Sequence, residues 1–214
     1  MNVLCISSSN IINKNLEEST SYLICKSIIN SLGDKSVQSE IIDLRMCALN
    51  PCTGCGKCYD THRCCCDTEF NTIYEKIINS NAVFIVSAHY APIPAKLSMI
   101  LEKMEQITFL HWGRNNSYKS EVYGLPTGVI SHGGGANWAL QEYKRMVNDT
   151  IGNALNTIQM KLVPYSNDWN TGISLPIKNA KFINEDIFPK QEYDWEEINK
   201  TIAKYADMVI SVVR

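Results

Sequence analysis

The sequence predicts an α/β fold: a five-stranded parallel sheet of order 2-1-3-4-5 with helices on both faces, forming one domain over residues 1–214. Three observations carry this reading. Short apolar runs alternate with segments whose apolar residues recur at helical spacing, and parallel strands need such helical crossovers, which are right-handed. The run at 82–86 is almost continuously apolar, as a strand buried on both faces requires. Polar or glycine-rich loops follow the first, third and fourth runs, and an open parallel sheet binds ligands at such strand ends, beside the point where strand order reverses.

The elements follow in order. An apolar run at 3–6 leads into Ser7-Ser8-Ser9-Asn10, and then Leu16, Leu23, Ile24, Ile28 and Leu32 mark a helix face with Gly33 as its C-cap. The second strand is expected at 37–42. Phe70, Ile73, Tyr74, Ile77 and Ile78 form a short amphipathic helix ending at Asn79-Ser80-Asn81, ahead of the strand at 82–86. Leu97, Ile100, Leu101, Met104 and Ile107 give the next helix, which Pro92 and Pro94 keep from starting earlier. Residues 111–123 read as an irregular excursion, 127–130 as the fourth strand, 137–151 as a helix and 160–163 as the fifth strand. The stretch 166–190, rich in Asn, Pro and Gly, reads as a long loop. Trp195, Ile198, Ile202, Tyr205, Val209 and Val213 mark the closing helix.

Composition narrows the function classes. Twenty Lys and Arg against 22 Asp and Glu leave no broad basic surface for nucleic acid. No apolar stretch approaches a membrane span and no basic leader precedes a hydrophobic segment, so a cytoplasmic protein is expected.

Six of the nine cysteines fall between residues 52 and 66, in a loop inserted over 47–67 after the second strand. Cys52, Cys55, Cys58 and Cys64 read as C-x2-C-x2-C-x5-C, a spacing that wraps one compact iron-sulfur cluster of the [4Fe-4S] type. Gly54 and Gly56 suit a backbone that curls with positive φ around such a group. Zinc, a disulfide framework and free thiols are the alternatives; zinc would want a second ligand pair further along the chain, and a reducing compartment disfavours disulfides. Cys65 and Cys66 leave the identity of the fourth ligand open, since either can replace Cys64.

Three loops are expected at the ligand-binding edge: 7–15, 87–94 and 131–138. Ser7, Ser8, Ser9, Asn10, Asn13 and Asn15 offer hydroxyls and amides at a helix start, which suits a phosphate or, equally, an ordinary cap. Neither a Walker loop nor G-x-G-x-x-G is present. Tyr90 offers a flat face to a planar ring, and Gly133 to Gly135 let backbone amides come close to ring heteroatoms. A phosphate pocket beside such a cleft suits flavin mononucleotide (FMN).

On these features, namely the serine-rich loop ending in Asn15, the cysteine motif, Ser87-Ala88-His89-Tyr90 with Pro94-Ala95-Lys96-Leu97, and the Gly133 run, residues 1–150 resemble the NADPH-dependent FMN reductase family of flavodoxin-like proteins, most closely its iron-sulfur flavoprotein branch. The resemblance implies a flavodoxin-like three-layer sandwich. It implies FMN held by Ser7, Ser9, Asn13, Asn15 and Leu16 of the first loop, Ser87, Ala88, His89 and Tyr90 of the second, and His132, Gly133 and Gly134 of the third. It also implies a [4Fe-4S] cluster close to the flavin, NAD(P)H as cosubstrate and a homo-oligomer, dimer or tetramer. The first loop departs from the family's Gly-Ser-Pro-Arg-x-x-Gly-Asn-Thr at Ser8, Asn10, Ile11, Lys14 and Leu16. Losing the Arg and Thr weakens the expected hold on FMN by a few kcal/mol unless Lys14 or the added serines replace them.

His89 and His132 end the third and fourth strands, where either can bond the flavin pyrimidine or serve as a polar loop residue; no catalytic residue is assigned. His62 sits within the cysteine loop, as a substitute ligand or an exposed side chain. Trp112 and Trp138 flank the cleft loops, as packing or dimer-interface residues. The expected activity is electron transfer between NAD(P)H, or a ferredoxin-like partner, and an acceptor such as a small molecule. A cluster-free FMN or quinone reductase and a non-enzymatic redox carrier or sensor are the alternatives.

Overall fold

A computed structural model describes residues 1–10, 19–33, 36–183 and 189–213. Its sheet is built from β1 (Asn2–Ser8), β2 (Gln38–Asp43), β3 (Ala82–Ala88) and β4 (Pro126–His132), all parallel, with two short strands, β5 (Lys161–Leu162) and β6 (Ile173–Leu175), at the far side of β4. The order β2-β1-β3-β4-β5 is the expected one. The strand count is a correction: β5 pairs with Pro126 and Thr127 and β6 with Ile130 to His132, so the sheet has six strands and its last position is shared.

Alternation along each strand divides the core in two. Leu4, Ile6, Val83, Ile85 and Val129 face the helices α3 (Thr68–Ile78), α4 (Ala95–Trp112) and α6 (Asp149–Ile158). Val3, Cys5, Phe84, Val86 and Ile130 face α1 (Thr20–Leu32) and α7 (Trp195–Ser211). Both faces are therefore covered, which is why β3 and β4 are buried at every position. Gly128 of β4 is fixed by this packing, since a Cβ there would lie 2.9 Å from both Phe84 and Val209.

Two regions depart from the sequence expectation. The helix expected at 137–151 runs on to Ile158, through a 3-10 turn at Asn137–Ala139, α5 (Leu140–Tyr143), a π-helical stretch at Lys144–Asn148 and α6. The stretch 166–190, expected to be loop, contains β6 and much of a hairpin of β7 (Asn179–Lys181) and β8 (Lys190–Glu192). Strands of three residues are too short to show a period, so they leave no mark in the sequence. The cysteine loop is irregular as expected, apart from one helical turn, α2 (Cys58–Thr61). Among the described residues, no helix is long and apolar enough to cross a membrane.

Candidate functional site

Two sites emerge, one at the carboxyl edge of the sheet and one in the cysteine loop. At the first, parallel register aligns a row of serines across four strands: Ser8 with Ser87, Ser87 with Ser131, and Ser131 with Ser174. The strands on either side of the order reversal, β1 and β3, contribute Ser7, Ser8 and Ser87, all fully buried. Ser87 Oγ donates to the Ala88 carbonyl at 3.1 Å and Ser131 Oγ meets Ser174 Oγ at 2.7 Å, but Ser7 Oγ and Ser8 Oγ are buried with no partner among the described residues. Ser19 Oγ, beside the start of α1, shares that condition.

His132 is drawn into the same group. Its Nε2 lies 2.7 Å from Ser21 Oγ, whose hydroxyl also contacts the Ser8 carbonyl at 3.1 Å. A hydroxyl has one proton; if Ser21 gives it to the Ser8 carbonyl, His132 must donate through Nε2, leaving Nδ1 as a bare acceptor. That Nδ1 is buried without a partner among the described residues, and burial pushes the imidazole down to about 4. Buried polar atoms are normally satisfied, so four orphans at one edge fit a polar ligand rich in hydroxyls or phosphate oxygens. The donor set therefore fits the ribityl phosphate of FMN.

The mouth of this cleft is aromatic. His89 and Tyr90 are half-buried after β3; the His89 amide donates to the His132 carbonyl at 2.9 Å and its ring stands 5.4 Å from that of Tyr143. Ala88 is buried in the strand end. The glycine run behaves differently from expectation. A Cβ on Gly133 would lie 2.6 Å from the Tyr143 ring, and one on Gly135 would lie 2.4 Å from the Ala139 Cβ. The Gly135 amide donates to Tyr143 Oη at 2.6 Å, so these glycines make room for Tyr143 and that amide is already used. Gly134 is exposed, and Tyr193, just past β8, donates through its hydroxyl to the Gly133 carbonyl at 3.3 Å. Ser9 is half-buried at the end of β1. Asn13, Asn15 and Leu16 lie outside the described residues.

Sequence reading missed Ser19, Ser21, Tyr143 and Tyr193. Ser21 is the one with a usable signal: a serine on the buried face of an amphipathic helix, in its first turn, asks for a partner.

At the second site, Cys52, Cys55, Cys58, Cys64, Cys65 and Cys66 all line one cavity, floored by Lys103 and Ile107 of α4. Gly54 and Gly56 take φ of +66° and +71°, as the curl of the loop requires. Both ends of the loop are fastened to α4. Lys103, almost wholly buried, bonds the Asn50 carbonyl and Asp67 Oδ2, the latter at 2.8 Å. Asp67 in turn accepts from the amides of Asn50 and Phe70, both at 2.9 Å, which caps α3. Burial pushes the Asp67 carboxyl up, yet Lys103 and the two amides together hold it below its ordinary value. Cys64 is pinned to α3 by two 2.8 Å bonds with the Asn71 amide group.

The thiols are not equivalent. Burial, then the neighbouring Cys52, Cys55 and Cys64, push Cys58 up. The Lys57 amide, then Cys65, hold Cys55 below the usual thiol range. Cys65, hydrogen-bonded to Cys66 and Cys55, is pushed up to about 11. Cys55, Cys65 and Cys66 have sulfurs within 4.8 Å of one another. Six thiols around one cavity are a donor set that fits an iron-sulfur cluster, and the choice among Cys64, Cys65 and Cys66 stays open. His62 is not a cavity residue: its ring stacks on His111 at 4.1 Å and its Nδ1 meets Tyr118 Oη at 3.3 Å. Trp112 stands half-exposed at the far end of α4, away from the cleft loops, and Trp138 is exposed beside the glycine run.

No family model matches the chain. It is similar to a protein named as an iron-sulfur flavoprotein from Methanocaldococcus jannaschii, with 22% identity over 126 residues, covering 58% of this chain and 63% of that relative's length. Among solved structures it resembles an oxidoreductase from Corynebacterium diphtheriae, with a TM-score of 0.60, 14% identity, and 99% of this chain and 96% of the other covered. It also resembles Flavodoxin 1 from Bacillus cereus, with a TM-score of 0.54, 10% identity and full coverage of both chains. These structural likenesses establish the flavodoxin-like fold, and the relative agrees with the resemblance read from the motifs.

Proposed function

We propose that the chain is an FMN-dependent oxidoreductase that also carries a [4Fe-4S] cluster in its cysteine loop. The observation that carries the flavin reading is a set of buried atoms without a partner among the described residues, Ser7 Oγ, Ser8 Oγ, Ser19 Oγ and His132 Nδ1, at the edge where strand order reverses. The similarity to a named iron-sulfur flavoprotein supports the pairing of cofactors. When bound, FMN supplies hydride acceptance and one-electron exchange, and the cluster supplies single electrons.

The chain's own residues bind and orient. The serine hydroxyls can donate to phosphate or ribityl oxygens, and His132 Nδ1 can accept one hydrogen bond from a ligand hydroxyl or N–H while Ser21 fixes the ring. Tyr90 and His89 shield the cleft mouth from water. Lys103 and Asp67 close the cysteine loop at its base, and Cys52, Cys55 and Cys58, with one of Cys64 to Cys66, supply thiolates. The cavity floor lies on α4 eight to twelve residues from Ala95, which puts it roughly 12–18 Å down the helix from the cleft. In this reading NAD(P)H or a ferredoxin-like protein is the donor, a small molecule or protein is the acceptor, and homo-oligomers form.

Anaerobic purification followed by flavin, iron and sulfide quantitation tests the proposal. Flavin with about four irons and four sulfides per chain is expected. Flavin without iron would leave a reductase with free thiols, and neither cofactor would overturn both halves. Turnover of NAD(P)H with a dye acceptor then separates an enzyme from a carrier.

A further inference from the structure

The six thiols of the cavity divide by exposure. Cys52, Cys58 and Cys64 are half-buried, with Cys58 and Cys64 packed against the core, whereas Cys55, Cys65 and Cys66 face solvent. The outer three are also the close ones: their sulfurs all fall within 4.8 Å, with 3.8 Å between Cys55 and Cys65 and 3.2 Å between Cys65 and Cys66. Thiolates each about 2.3 Å from one shared ion stand roughly 3.8 Å apart at tetrahedral angles and roughly 4.0 Å at trigonal ones. A cubane places every thiolate on a different iron, which spreads the sulfurs beyond that spacing. The outer trio lies within reach of a single ion, with Cys55 and Cys65 at the tetrahedral spacing and Cys65 and Cys66 just inside it.

We propose that Cys55, Cys65 and Cys66 form a three-thiolate site for one soft ion, monovalent copper or zinc, which shares Cys55 with the set Cys52, Cys55, Cys58 and Cys64. The donor chemistry selects the class. Thiolates favour copper(I) and zinc over hard cations, and among the described residues no carboxylate lines this cavity to recruit calcium or magnesium. Binding exchanges three S–H protons for three metal-sulfur bonds, with no change of oxidation state and no other reactant. The site needs no iron to exist, so it stands independently of the proposed cluster. Cys55 belongs to both sets, however, so one chain holds either the cluster or the soft ion. The loop is thereby a selective centre whose occupant follows the metals supplied to it.

The test uses the full chain, produced under iron limitation and kept reduced, with one equivalent of copper(I) or of zinc added separately. Alkylation with iodoacetamide is followed cysteine by cysteine by peptide mass mapping. The bound ion should slow alkylation of Cys55, Cys65 and Cys66 about tenfold and leave Cys52, Cys58 and Cys64 at their ion-free rates. C66S should release Cys55 and Cys65, and C64S should keep the wild-type pattern, with circular dichroism verifying both folds. Protection by copper alone or by zinc alone supports the site and names its ion; protection by both supports the shared thiolate chemistry. No protection by either ion, protection of Cys52, Cys55, Cys58 and Cys64 instead, or equal loss in C64S and C66S would overturn it. The wild-type map decides the matter even if a variant fails to fold. Iron quantitation on separately reconstituted protein reports the cluster, so failure of one reading is not confused with failure of the other.

Discussion

His132 shows how one side chain ties the cleft to stability. Its imidazole is buried neutral, with a folded value of about 4 against an ordinary value near 6.5. A base with a depressed folded pKa binds fewer protons folded than unfolded between those values, so its contribution is present above about pH 6.5 and is lost as pH falls through the window. Two and a half units correspond to roughly 3 kcal/mol, most of it gone by pH 4. Urea denaturation at pH 7 and pH 4 should give a wild-type loss larger by about that amount than the loss in His132→Gln, which cannot titrate there. Lys103 makes the opposite case, a charge that must remain. Its ammonium and the Asp67 carboxylate are almost wholly buried, so Lys103→Met strands a carboxylate in the core. A cost of about 3 kcal/mol is expected in denaturant unfolding. Hydrogen exchange should also quicken at the Asn50 and Phe70 amides that Asp67 holds.

At the scale of elements, the legible parts were those with enough residues to display a period. The helix faces containing Ile24 and Ile28, Ile73 and Ile77, or Ile202 and Val209 are buried where the spacing puts them, because each repeats over several turns. β6 carries only Ile173, Ser174 and Leu175, and what holds it is a contact the sequence does not display. Gly172 precedes it at φ +114°, with its Cα so close to β4 that a Cβ would meet the Val129 carbonyl oxygen at 2.1 Å. That atom is backbone inside the sheet and cannot swing aside. Gly172→Ala should therefore push β6 off β4 and cost about 3 kcal/mol or more, from overpacking with added backbone strain. Gly54→Ala supplies the contrast: φ is +66° but a Cβ there meets nothing within 4 Å, so only the left-handed strain of about 1–2 kcal/mol remains. Thermal unfolding of the two variants side by side checks the ranking. The cleft was legible in the same partial way: polar loops after apolar strands located the edge, but the inward turn of His132 toward Ser21 depends on a helix packed from elsewhere in the chain.

Across the whole molecule, the two sites share α4 but not its surface. The cleft gathers where α4 begins, at the carboxyl edge of the sheet, whereas the cysteine cavity rests on Lys103 and Ile107, roughly 12–18 Å further along the axis. Perturbations more than about 7–10 Å apart with no shared partner add, to within about 0.5 kcal/mol. The hydroxyls of Ser7 and Ser8 have no bond to the cysteine loop, and Cys58 packs on the α3 and α4 side of the sheet. If both proposed cofactors bind, Ser8→Ala should therefore weaken FMN by about 1 kcal/mol, fivefold or so in Kd, while leaving iron per chain unchanged. Cys58→Ser should remove the iron and leave the FMN affinity within about twofold of wild type. The double variant should show the two losses summed. Flavin fluorescence titration and iron quantitation on the four proteins measure this directly, and a Cys58→Ser chain that loses flavin as well as iron would mean that the loop and the cleft fold as one unit, with Lys103 and α4 as the physical link between them.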